Sequence, residues 1–388
     1  MAEDRIKSVA ILGIRGLPAA HGGFETFVEY LVPVLVKNGW KVTVYCQHIG
    51  TGPIFTSKYK GVELVHIPVK NDTPWSTIIF DWKATRHACR SQSLLLTLGY
   101  NTGFLAIYCR IKKVYNVINM DGIEWKRGKW SLPIRIWFYL NERIACLMGD
   151  HLIADHPEIK KHLQTRVSVD KITMIPYGAE SVETAKPEKL KPFGLQTNNY
   201  AVVIARLEPE NSILEIVQAF SQKPRDYDLV ILGNIFPEQN DYHGRIKRAS
   251  NDRVKFLGAI YDPEVVQSLR YYSRVYIHGH TVGGTNPSLV EALGAGCCIL
   301  AHENAFNRWV TQEQVLYFNN IKDCSDKLDL IFRDDELNTM LKLSSRQVFH
   351  KMFEWLPILK QYEKLLEIKL KYALNKSLLI ENSSSSLK

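Results

Sequence analysis

Four short strings in this 388-residue chain bring glycine, cations and carboxylates together where a strand gives way to a loop or helix. The first is Gly13-Ile14-Arg15-Gly16-Leu17-Pro18, continuing after three residues as Gly22-Gly23-Phe24-Glu25-Thr26. Glycines there let backbone N–H groups approach an anion, and the helix start adds the positive end of its dipole, so a diphosphate is expected to fit. The second, Asp121-Gly122-Ile123-Glu124-Trp125-Lys126-Arg127, offers carboxylates that can orient a hydroxyl and a cation that can stabilise a departing anion. The third, Ala205-Arg206-Leu207-Glu208-Pro209-Glu210-Asn211, places a guanidinium directly after a strand, at the carboxyl edge where open α/β sheets bind ligands. The fourth, Gly283-Gly284-Thr285-Asn286-Pro287-Ser288, is a Gly-rich turn entering a helix that carries Glu291.

Other chemistries fit less well. The first string is G-x-x-G, not the G-x-G-x-x-G of a dinucleotide fingerprint, and the second strand ends in Tyr45-Cys46-Gln47-His48 without a ribose-binding acid. Seven cysteines without a C-x-x-C pair argue against a disulfide framework or a zinc site, and Cys297 and Cys298 are expected to be buried. His278, His280 and His302 have no metal-ligand pattern around them. The expectation is no metal and no cofactor.

The elements that must position these strings alternate regularly. Strands are expected at Ser8–Leu12, Lys41–Cys46, Val62–Ile67, Leu94–Thr97, Lys113–Ile118 and His151–Ala154, with helices at Gly22–Asn38, Trp75–Arg90 and Pro133–Met148. Residues 178–199, rich in Pro, Lys, Glu and Thr, read as an interdomain linker. A second alternation follows, through strands at Tyr200–Ala205, Asp228–Gly233, Val254–Leu257 and Arg274–His278 and helices at Ile213–Phe220 and Pro287–Ala295. This is an α/β pattern of two Rossmann-like domains, 1–185 and 186–347, with a C-terminal helix about 348–372 returning to the first. Residues 376–388 are expected to form a disordered polar tail.

The net charge is +9, and residues 1–185 hold 23 Lys and Arg against 16 Asp and Glu. Arg110, Lys112, Lys113, Lys126, Arg127, Lys129 and Arg135 lie close to Trp125, Trp130, Trp137 and Phe138. Basic residues among aromatics suit an anionic membrane face, whereas no nucleic-acid module signature is present. No apolar stretch approaches the roughly 18 residues of a membrane span, and Met1–Leu12 does not read as a signal peptide. A cytoplasmic protein, peripheral on the inner face of the plasma membrane, is expected.

Taken in order, the four strings resemble those of bacterial rhamnosyltransferases of capsular and cell-wall polysaccharide synthesis, retaining members of glycosyltransferase family 4. The resemblance runs from Ile11 to about Tyr362. It implies a GT-B fold, two Rossmann-like domains facing each other across a cleft, and transfer of L-rhamnose from dTDP-L-rhamnose to a lipid-diphosphate-linked saccharide. It implies catalytic roles for Asp121, Lys126 and Arg206. Donor contacts are implied for Gly16, Arg206, Glu210, Asn211, Ile260, Gly284, Thr285, Asn286, Ser288 and Glu291, with Glu291 on the ribose. Acceptor contacts are implied for Gly22, Gly23, Glu25, Asp121, Glu124 and Trp125. Two departures stand out: Asn211 occupies a family lysine position and Gly283 a family glutamate position. A nucleotide-sugar epimerase and a non-catalytic nucleotide-sugar-binding protein are the alternatives.

Overall fold

The computed structural model describes residues 7–20, 22–91 and 93–385, the stretch 376–385 by backbone alone. It divides into two compact units, one of 1–126, 132–176 and 356–388, the other of 127–131 and 177–355.

The first unit is built from β1 (Ser8–Leu12), α1 (Gly23–Lys37), β2 (Lys41–Ile49), β3 (Phe55–Tyr59), β4 (Val62–Val69), α2 (Pro74–Ala88), β5 (Leu94–Leu98), α3 (Leu105–Ile111), β6 (Asn116–Asn119), α4 (Leu132–Met148), β7 (His151–Ala154), α5 (Pro157–Gln164) and β8 (Ile172–Met174). Its eight strands run in the order β3-β4-β2-β1-β5-β6-β7-β8, parallel except for β3 on β4. Inner strands such as β1 (SVAIL) are apolar on both faces because helices cover both sides of a parallel sheet. The hairpin strand β3 was not expected. Thr56, Ser57 and Lys58 are polar and exposed and Phe55 is exposed too, as suits an edge strand, so alternation gave no signal.

The second unit contains β9 (Tyr200–Ile204), α6 (Ile213–Ser221), β10 (Asp228–Leu232), α7 (Asp241–Ala249), β11 (Val254–Gly258), α8 (Pro263–Tyr271), β12 (Val275–His278), α9 (Pro287–Gly294), β13 (Ile299–His302), α10 (Ala305–Thr311), β14 (Leu316–Phe318), α11 (Ile321–Arg333) and α12 (Asp335–Met352). The six strands, all parallel, are ordered β11-β10-β9-β12-β13-β14, with apolar clusters on both faces.

Residues 178–199 are not a solvated linker. The Ala179 N–H donates to the Phe353 carbonyl and that of Val182 to the Gly294 carbonyl, both at 2.9 Å, and Leu190 is buried in the second unit's core. The final helix, α13 (Trp355–Ser385), belongs from Leu356 on to the first unit. There Tyr362 packs on Phe27 and accepts from Asn119 Nδ2 at 2.8 Å, while Glu363 accepts from Asn38 and Trp40. Its backbone is helical through Ser385, where the sequence suggested a tail, and 386–388 lie outside the described residues.

Candidate active site

A doubly wound sheet has a switch point, where successive connections leave in opposite directions and the loops part to form a crevice. In the first unit it lies between β1 and β5, and in the second between β9 and β12. The predicted strings after β1, β9 and β12 therefore stand at switch points. Asp121-Gly122-Ile123-Glu124 follows β6 on the same carboxyl edge.

The loop after β1 is shaped by close backbone approach. Gly13 has φ +85°, and a Cβ there would lie 2.1 Å from the Leu98 carbonyl oxygen. Gly16, at φ +145°, leaves room for Cys46. Two of the loop's N–H groups, which the diphosphate expectation would leave open, are already engaged. Arg15 N–H donates to Glu25 Oε1 at 3.0 Å and Ala19 N–H to Glu29 Oε2 at 2.8 Å. Two carboxylates of α1 already occupy the helix start, and a further anion would be repelled. Gly22 is an extended N-cap and Gly23 opens α1, whereas Glu25 lines a cavity at the switch point.

Asp121 has φ +53°, and its N–H donates to Asn119 Oδ1 at 3.0 Å. The buried Tyr100 hydroxyl pins the next turn, donating to the Gly122 carbonyl and accepting from the Glu124 N–H. Trp125 is expected to touch an acceptor, but its indole N–H donates to Glu142 Oε2 at 2.7 Å and its ring meets Tyr139 edge-on. It is a brace for the loop. Exposed Lys126 lies over the Trp125 ring, 5.5 Å from its centre. Glu142 is fully buried and also meets His162 at 2.9 Å and Arg166 at 3.4 Å. Burial alone would raise its carboxyl; His162, Trp125 and Arg166 together hold it below the ordinary value.

In the second unit Arg206 follows β9 and is exposed, and among the described residues no carboxylate forms an ion pair with it. Asn211 is buried and its Nδ2 donates to the Arg206 carbonyl at 2.7 Å. It staples the arginine loop through one of its two amide N–H groups. Glu210 pairs with Arg127 at 3.3 Å, while its carbonyl accepts from Thr281 N–H and Oγ1. The loops after β9 and β12 are thus laced together. Gly279 permits this, because a Cβ there would lie 2.2 Å from the Asn211 carbonyl oxygen.

Asn286 caps α9, accepting from the Ser288 N–H at 3.1 Å. Thr285 is buried. Ser288 is committed to Tyr276, at 2.6 Å, and to the Ile204 carbonyl, and Glu291 pairs with Arg270. Both groups are therefore held by protein partners, and a ligand would share them. Gly283 and Gly284 lie in the turn before α9, with open space where a Cβ of Gly283 would stand. Ile260, half-buried, follows β11.

His278 and His280 stack with ring centroids 4.3 Å apart. Burial, then the charges of Arg127 and Arg206, push His280 down to about 3, and burial holds His278 well below its ordinary value. Both rings are neutral at physiological pH. The spacing His278-Gly279-His280 directly before the Gly-rich turn was the visible signal for this pair.

Two doubly wound α/β units with ligand-competent loops at their switch points define the fold of GT-B glycosyltransferases. Residues 185–348 match the family model described as glycosyl transferases group 1, so the second unit is a domain of that type. Residues 6–180 match a domain of unknown function (DUF1972). Sucrose-phosphate synthase from Thermosynechococcus elongatus is similar at 17% identity and a TM-score of 0.77, over 93% of this chain and 98% of that one. Anabaena HepE in complex with UDP and glucose is similar at 14% identity and a TM-score of 0.72, over 94% of this chain and all (100%) of that one. A glycosyltransferase from Rickettsia africae shows 14% identity and a TM-score of 0.69, over 95% and 99%. At these identities the likeness is one of fold. Among curated protein sequences none matches the chain.

Proposed function

We propose that the chain is a retaining glycosyltransferase that moves L-rhamnose from dTDP-L-rhamnose to a saccharide linked to a lipid diphosphate. The observation that carries the transferase reading is that the group 1 domain match spans the second unit's switch point, with exposed Arg206 on one loop and the glycine-rich start of α9 on the other. HepE, of the same fold, is seen with UDP and glucose. The rhamnose and lipid parts rest on the sequence resemblance. In the reaction the acceptor oxygen bonds to the anomeric carbon, the bond from that carbon to the phosphate oxygen breaks, and the hydroxyl proton passes to the departing phosphate. Arg206 stabilises the charge that grows on the diphosphate, and Asp121 orients the hydroxyl.

A donor panel including dTDP-L-rhamnose and UDP-glucose, incubated with a lipid-linked acceptor and read by product mass, tests this. Product only with dTDP-L-rhamnose is expected. A donor altered without acceptor means an epimerase, and a donor left intact with every acceptor means a binding protein. On this reading the stabilising positive charge comes from Arg206 and Lys126 rather than from a metal ion. Turnover is expected to survive EDTA; loss restored by Mg²⁺ or Mn²⁺ contradicts this.

We propose further that the protein docks on an anionic membrane. No helix among the described residues is long and apolar enough to cross a bilayer. Helices α2, α3 and α4 nevertheless expose Trp75 (74%), Ile111 (69%) and Leu132 (67%), besides Ile79, Trp82, Leu140 and Leu147. The three helices adjoin, Trp82 meeting Tyr108 at 5.2 Å and Phe104 meeting Trp137 at 5.8 Å. Their only carboxylates, Asp81 and Glu142, are not exposed, whereas Lys83, Arg86, Arg110, Arg135 and Arg143 are. Apolar side chains ringed by cations suit an anionic bilayer, each cation contributing about 1 kcal/mol near the surface. By contrast Trp125, Trp130 and Phe138 of the basic stretch are half-buried. Co-sedimentation with phosphatidylserine vesicles is expected to exceed that with neutral vesicles, to weaken with salt, and to fall in Ile79→Glu/Ile111→Glu. Equal binding by wild type and variant contradicts the surface.

A further inference from the structure

A cavity of about 250 Å³ opens at the first unit's switch point, floored by β1, β5 and β6 and walled by α2 and α3. A central parallel strand is ordinarily apolar and sealed on both faces. Thr97 interrupts β5 (LLLTL) and is only half-buried, so the cavity is open down to the sheet. Thr97 Oγ1 donates to Asn116 Oδ1, and Thr102 Oγ1 to Asp81 Oδ2, each at 2.8 Å. The cavity also contains groups that still want donors. Gln47 Oε1 is buried without a hydrogen-bond partner. Among the described residues the Asp81 carboxylate accepts from Thr102 alone, although a carboxylate has about four acceptor positions. Burial accordingly raises the Asp81 carboxyl to about 7, against the opposing hydrogen bond from Thr102. Buried polar atoms left unmatched are costly unless a ligand or water supplies the missing partner.

The chemistry of that ligand follows from the wall. Arg15 is its one cation among the described residues, and Arg15 is tied to Asp72 at 2.8 Å. Asp81 and Glu25 would repel a phosphate or carboxylate. Phe80, Leu105 and Ala106 supply an apolar side opposite the polar groups. A neutral ring with hydroxyl donors on its edge and C–H groups on its face matches this lining. The volume falls below the roughly 300–1,000 Å³ of pockets for drug-sized ligands, so one ring fits and two do not.

We propose that this cavity is a subsite for one neutral monosaccharide ring of the acceptor, with Asp81 and Gln47 accepting hydrogen bonds from its hydroxyls. The proposal rests on the glycosyl-transfer reading for the ring's origin, but the binding is measurable without any donor.

The experiment is saturation-transfer NMR on the full chain with methyl α-D-glucopyranoside and methyl N-acetyl-α-D-glucosaminide, with glucose 6-phosphate as the anionic counterpart. Saturation transfer to at least one neutral glycoside, and none to glucose 6-phosphate, is expected. Measured above about pH 8, where the Asp81 carboxyl is ionised, Asp81→Ala is expected to weaken binding about tenfold or more, because it removes a charged acceptor. Thr77→Phe, which fills the cavity from α2, is expected to abolish it. Thermal unfolding of both variants separates loss of the site from loss of the fold. The proposal is overturned if neither glycoside binds, if glucose 6-phosphate binds as well, or if folded Thr77→Phe binds like wild type. Sugar binding without transfer from any donor leaves the subsite standing and removes the transferase reading. Transfer with unaltered glycoside binding in Thr77→Phe does the reverse.

Discussion

Arg206→Ala is expected to lower transfer about 100- to 1,000-fold, the effect of removing one preorganised electrostatic donor from a transition state. The side chain is exposed, so its loss opens no cavity in the core and the melting temperature should not move. Its backbone is nevertheless fixed, because Asn211 holds the Arg206 carbonyl and Thr281 holds that of Glu210. A guanidinium on a stapled loop needs little reorganisation when charge develops on the leaving diphosphate. The loss should therefore fall on kcat as well as kcat/KM, which separates transition-state stabilisation from simple donor binding. Lysine at this position keeps the charge but not the planar fork, so Arg206→Lys should recover only part of the rate. Activity of Arg206→Ala within about threefold of wild type would remove the assignment.

The largest effect on stability is expected at Glu142, with Glu142→Ala costing about 3 kcal/mol. The carboxylate is buried and joins Trp125, His162 and Arg166, so truncation leaves the indole N–H and a half-buried guanidinium without their acceptor. For a unit of this size, that cost corresponds to a fall of roughly 6–12 °C in Tm. The sign with pH also follows. Because the folded carboxyl ionises below the unfolded value of 4.5, its stabilisation is complete above about pH 4.5 and is lost as pH falls through the lowered folded value. Wild type should thus converge on Glu142→Ala in acid. Calorimetry from neutral to acidic pH checks both statements, and a neutral-pH difference below about 1 kcal/mol would contradict them.

The two Rossmann-like domains were legible because their determinants are local; that they make a GT-B pair came only from the resemblance of the four strings. Apolar runs such as SVAIL and YAVVI, spaced by amphipathic helices, can be satisfied only by parallel sheets covered on both sides. The strings after β1, β9 and β12 were legible for the same reason: the carboxyl end of a strand is a sequence position, and glycine there marks a sharp turn or a close backbone approach. The linker was misjudged because Pro and Lys content reports solvation of side chains, whereas the N–H groups of Ala179 and Val182 find their partners at Phe353 and Gly294.

What the sequence determined by itself, then, was the order of elements and the places where ligand-binding loops emerge. Tertiary structure alone decided which groups in those loops remain available. Arg15 N–H is consumed by Glu25, Ala19 N–H by Glu29, Ser288 by Tyr276 and Glu291 by Arg270, while Arg206 has no carboxylate partner among the described residues. Asp81 stands among Lys83 and Arg86 in α2, and it becomes part of a cavity wall only when β5 and α3 close beside it. The physical reason is range. Strand and helix patterns arise from neighbours within a few residues, whereas a hydrogen bond or ion pair is settled within about 3 Å, between groups that the chain brings together only after both sheets have formed.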